Sequence, residues 1–112
     1  MNILIVSSPL LDATDQKVVS NIVYPLFVLC TPIIKFCTEK TLETDDSLTL
    51  ILCLDCLDES EKTMALSDKK NITVLQMPPY NAKTFPADLS KVVKDHTIEH
   101  YAQKEVLAGL DN

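Results

Sequence analysis

Leu48 to Leu54 is the most hydrophobic run of the chain, with Thr49 its only polar side chain. A short, unbroken apolar run of this kind reads as a strand buried on both faces, the signature of a parallel sheet. Asn2–Ser7, Leu26–Cys30 and Ile72–Met77 read as three further strands. The segments between them carry helix signals. Asp12 or Thr14 caps a helix to about Asn21, with Val18, Val19 and Ile22 on one side. Thr31 and Pro32 suit the cap and first position of a second helix, with Ile33, Ile34, Phe36 and Cys37 as its apolar face. Asp58, Glu59 and Glu61 form an acidic first turn for a third, which runs to about Asp68. Pro86 opens a last helical region, with a break near Asp95, that reaches Leu110. Strands alternating with helices predict a small three-layer, Rossmann-like α/β domain. Its four-stranded sheet is mostly parallel and has helices on both faces. The 112 residues suffice for one such domain, 1–112, with a core of its own.

Composition narrows the chemistry. The chain has a single glycine, Gly109, and no arginine. Glycine lets backbone approach a phosphate, and arginine grips one with a two-pronged fork. A P-loop, a dinucleotide fingerprint and an arginine clamp are therefore absent. The net charge of −6 repels nucleic-acid backbone and anionic lipid. The ten lysines form no dense cluster, and six aromatic residues without tryptophan leave little for stacking bases. Direct nucleic-acid binding is accordingly not expected. The longest apolar stretch, Ile22 to Phe36, is broken by Pro25, Pro32 and Lys35, so no membrane span is expected. No basic residue precedes Ile3-Leu4-Ile5-Val6, as a secretory leader would require, and the expected location is cytoplasmic. Cys30, Cys37, Cys53 and Cys56 lie in or beside apolar runs and read as reduced core thiols.

Open parallel sheets bind ligands beyond the carboxyl ends of their strands. That rule selects Ser7 and Ser8, Thr31, Asp55 to Glu59, and Pro79 with Tyr80. Asp55, Asp58 and Glu59 offer oxygens of the kind Mg²⁺ prefers, although a strand end and a helix cap explain the same acids. Cys53 and Cys56 have C-x-x-C spacing, but Cys53 falls inside a strand, where a residue three positions on points to the other face. His96 and His100, four apart, share a face if that stretch is helical, with a solvated face as the simpler reading. No serine, histidine and aspartate combination stands out for nucleophilic catalysis.

Taken together, these motifs resemble a degenerate Toprim domain, the α/β unit of primases and topoisomerases. The family opens with a strand, a Glu-Gly pair and then an Asp. Here the stretch from Val6 to Ala13 places Ser7 at the glutamate and Ser8 at the glycine. Its second motif, a strand ending in Asp-x-Asp, is similar to Leu50 through Glu59, with Asp55 and Asp58 one residue further apart than in the family. Val74 to Pro79 followed by Pro86-Ala87-Asp88-Leu89 resembles its later strand and proline turn. The resemblance implies that Ser in place of Glu removes a general acid/base and one metal ligand together, leaving a scaffold. Ile3 to Ser8, Phe27 to Pro32 and the closing helix also resemble the psi subunit of the bacterial DNA polymerase III clamp loader. That resemblance implies a non-enzymatic role in a replication assembly.

The expected function is therefore a non-catalytic interaction module or accessory subunit that binds a protein partner. An alternative is an Mg²⁺-dependent, Toprim-like phosphotransfer or nucleotide-binding domain acting through Asp55, Asp58 and Glu59. A third reading is an acidic inhibitor that mimics DNA, which requires the scattered acids to share one face.

Overall fold

Residues 2–7, 33–37, 49–54 and 72–77 form β1 (Asn2–Ser7), β2 (Ile33–Cys37), β3 (Thr49–Leu54) and β4 (Ile72–Met77). They appear in a computed structural model that describes residues 1–54, 66, 68–96 and 98–110. All strand pairs are parallel, in the order β2-β1-β3-β4. Every residue of β3 is buried, as its unbroken apolar sequence predicts for an inner strand. The register sets Ile5 beside Leu52 and Leu52 beside Leu75, a row of fully buried side chains across one face.

Three helices pack on that face: α1 (Ala13–Leu26), α2 (Phe85–Asp95) and α3 (Lys104–Leu110). Val19, Val23 and Leu26 of α1, Phe85, Leu89 and Val93 of α2, and Leu107 of α3 complete the main core. The opposite face carries Leu4, Val6, Ile51, Cys53 and Ile72. It is covered by Leu42, from the β2–β3 connection, and Leu66, from the β3–β4 connection. The handedness rule explains the division. The chain steps one way across the sheet from β1 to β2 and the other way from β3 to β4. Right-handed crossovers then put α1 on one face and Leu66 on the other. The architecture is a small Rossmann-like α/β domain whose winding reverses between β1 and β3.

Two elements differ from the sequence expectation. Leu26–Cys30 is not a strand. Leu26 ends α1, which runs five residues beyond Asn21 and accommodates Pro25 in its last turn, and Val28–Cys30 is a single 3₁₀ turn. The segment after Thr31-Pro32 is not a helix but β2. Thr31 closes the 3₁₀ turn in the left-handed region, at φ 44°. A short apolar run cannot be told from a helix end by periodicity alone, and the β-branched Ile33-Ile34 pair favours a strand. The expected last helical region is present. Pro86 lies in the first turn of α2, and the chain breaks after Asp95 before resuming as α3.

Asp12 is the cap of α1, where its Oδ1 accepts the Asp15 backbone N–H at 2.8 Å. Asp12→Ala removes that acceptor and is expected to cost about 1 kcal/mol, read as a lower urea midpoint with unchanged slope. An unchanged midpoint would mean that the cap contributes nothing.

Candidate functional site

The reversal of winding leaves a cleft of about 370 Å³ beyond the carboxyl ends of β1, β3 and β4. Ser7 and Leu54 reach it from the last positions of β1 and β3. The turn after β4 supplies Pro79 and Tyr80, and the segment from Ser8 into α1 brings Asp12 and Asp15. Its volume falls within the usual range of small-molecule sites.

Two polar atoms of residues lining this cleft are buried without a partner among the described residues. Neither Ser7 Oγ nor Tyr80 OH makes a hydrogen bond among the described residues, and Ser7 as a whole is only 5% exposed. A buried hydroxyl left in this state costs about 1–3 kcal/mol, so native structures seldom keep one without a use. The Tyr80 ring is held against Phe85, with centroids 5.7 Å apart and planes inclined by 58°. Burial, followed by the negative charges of Asp15 and Asp12, pushes the Tyr80 phenol above its ordinary 10.0. It therefore stays neutral and can both donate and accept. The folded chain holds this proton after the unfolded chain has lost it, so stability is expected to fall as pH rises above 10.0. Tyr80→Phe should flatten that part of the alkaline denaturation curve. An unaltered curve would show that Tyr80 titrates normally.

The structure brings Ser7, Ser8, Pro79 and Tyr80 together around this cleft, as the rule of carboxyl strand ends anticipates. Thr31 is not with them. It precedes β2, and Ile33 pairs with Asn2, which puts Thr31 near the amino ends of the strands. Its selection depended on a strand at 26–30 that is not there. Asp55, Asp58 and Glu59, together with Cys56, lie outside the described residues. Cys53 is buried on the face of β3 opposite α1, α2 and α3. His96 ends α2 and His100 belongs to a separate 3₁₀ turn, so they do not share a helical face. Among the described residues no three histidine, cysteine or carboxylate side chains gather as a metal site.

Sequence reasoning missed Asp12 and Asp15 as cleft walls, because a capped helix start accounts for acids there without a site. It also missed an apolar edge. Tyr24 near the end of α1, Val28 and Leu29 in the 3₁₀ turn and Ile33 in β2 are all exposed, Leu29 at 79% and Ile33 at 57%. Beside them Tyr24, Pro25, Pro32 and Ile34 line a shallow groove. β2, like β4, is an outer strand of the described sheet, so alternate backbone groups along it face away from the sheet.

Comparison with protein-family models, with curated proteins and with solved structures gave no match to this chain. Among the described residues no helix is long and apolar enough to cross a membrane.

Proposed function

We propose that the chain is a non-catalytic interaction module, an accessory subunit that joins a larger assembly through the β2 edge. The observation that carries this reading is the exposure of Leu29 and Ile33 beside an outer strand of the described sheet. Isolated exposed apolar residues are ordinary. Tyr24, Val28, Leu29 and Ile33 instead come from three consecutive elements at the β2 side of the sheet, with Ile33 on the face turned from α1, and such a concentration is the pattern of a docking surface.

The occupant is a different protein rather than a second copy. Lys35 stands exposed in the middle of β2. Two such edges pairing antiparallel about their centres would bring Lys35 against Lys35, and like charges opposite each other destabilise a strand pair. A partner strand with apolar side chains and a carboxylate facing Lys35 would add to this edge by backbone hydrogen bonds. The resemblance to the clamp-loader psi subunit directs the search for that partner to replication assemblies.

The double variant Leu29→Glu/Ile33→Glu tests the reading. Tagged wild-type chain is expected to retain a partner from its own cell lysate in fixed ratio, and the variant to lose it. Both substitutions are at exposed positions, so each should change stability by no more than about 0.5 kcal/mol. Equal recovery by both proteins would overturn the reading, as would recovery of nothing by either.

A further inference from the structure

The cleft at the ends of β1, β3 and β4 lies away from the β2 edge, and protein docking there leaves its buried hydroxyls unexplained. We propose that it binds a small organic ammonium ion that also carries a hydrogen-bonding oxygen, as an amino alcohol does. The juxtaposition that carries this is Ser7 Oγ and Tyr80 OH, both enclosed and unpartnered, in a cleft walled by Asp12 and Asp15.

Charge selects the sign of the ligand. The amino end of α1 meets the cleft and by itself would favour an anion such as phosphate. Its pole amounts to about half a positive charge. Asp12 and Asp15 bring two full negative charges to the same place, and among the described residues no lysine lines the cleft. The carboxylates win, and an anion is repelled. Asp12 uses Oδ1 to cap the helix, which leaves its second oxygen and the Asp15 carboxylate for an ammonium group. A carboxylate and an ammonium form charge-assisted hydrogen bonds, the stronger kind.

The hydroxyls select the rest. The ligand oxygen satisfies the Ser7 and Tyr80 hydroxyls, whose hydrogens turn to suit it. Leu11, Leu54 and Pro79 present carbon surface to its skeleton. A bare divalent cation fits less well, since it needs about six oxygens, and the two carboxylates among the described lining residues do not supply them.

Three probes of one shape and different charge test the proposal: ethanolamine, ethylene glycol and glycolate. Each is titrated into the isotope-labelled chain while amide chemical shifts are followed, with MgCl₂ as a fourth titrant. Ethanolamine alone is expected to give saturable shifts clustered at Ser7, Ser8, Asp15, Leu54 and Tyr80. Its affinity should fall several-fold as salt is raised, because the pairing is partly screened. Asp15→Asn should weaken it about tenfold. That variant should leave amides far from the cleft where they were, which separates lost binding from lost folding. Glycolate binding as well as ethanolamine would overturn the proposal. So would Mg²⁺ shifting these amides when ethanolamine does not, or no response to any probe at hundreds of millimolar, the result for a cleft that holds only water.

Discussion

Phe27→Ala is expected to lower the unfolding free energy by about 3–5 kcal/mol, the range for emptying a large aromatic site. Phe27 is fully buried immediately after α1, and its backbone N–H donates to Val23 O and Tyr24 O, at 3.3 and 3.2 Å. Its neighbours come from distant parts of the chain: Met1, Leu48, Leu50, Ile98 and Tyr101. The void among them is only about 10 Å³, so little space is free before the ring is removed. Each neighbour is tied elsewhere. The Met1 carbonyl accepts the Ile33 N–H at 2.9 Å, Leu50 is held in β3, and the Tyr101 carbonyl accepts the Cys30 thiol at 3.5 Å. Partners fixed in this way cannot close over a missing ring, which puts the cost at the upper end. Urea unfolding followed by circular dichroism measures it. A loss below about 1 kcal/mol would mean that Phe27 does not join α1 to the sheet.

Leu52→Ala should cost about 2–5 kcal/mol by the same measurement. Leu52 is mid-strand in β3, fully buried, with Ile5 beside it in β1 and Leu75 in β4. Backbone pairing on both sides fixes all three strands, so relaxation into the cavity is limited and the cavity term remains. Domains of this size are stable by only about 5–15 kcal/mol. Either substitution thus removes a large share of the total, and the two together should leave little folded protein. A cost under about 1 kcal/mol at Leu52 would mean that β3 is not the centre of the sheet.

The sequence was most legible where burial was complete. Inner strands β1 and β3 have both faces covered, so their sequences are apolar without interruption, and their positions agree with those read from the run alone. β4 was legible for the same reason, with Ile72, Leu75 and Met77 buried. Residues 26–37 were not. There the chain turns from a helix through a 3₁₀ turn into an edge strand, and exposed apolar residues break the link between hydrophobicity and burial. Leu29 reads as core but faces outward, while Pro32 reads as a helix start but is buried ahead of β2. An exposed apolar segment has the composition of a core without being one, which is why sequence reasoning folded it inward. The cleft was half legible. The carboxyl-end rule selects Ser7 and Tyr80, but it takes the folded structure to show that their hydroxyls are enclosed and that they share a cleft with two carboxylate-bearing residues.

Backbone amide hydrogen exchange of the chain, alone and in the assembly it co-purifies with, tests the docking reading most directly. In the isolated chain the outward amides of β2, those of Ile34 and Phe36, pair with no strand among the described residues and should exchange quickly. In the assembly, slowed exchange at Ile34 and Phe36 and around Leu29 is expected, with Ile33 and β3 unchanged because they are already hydrogen-bonded within the sheet. Protection confined to β4, or exchange at β2 that is the same with and without the partner, would contradict docking at this edge.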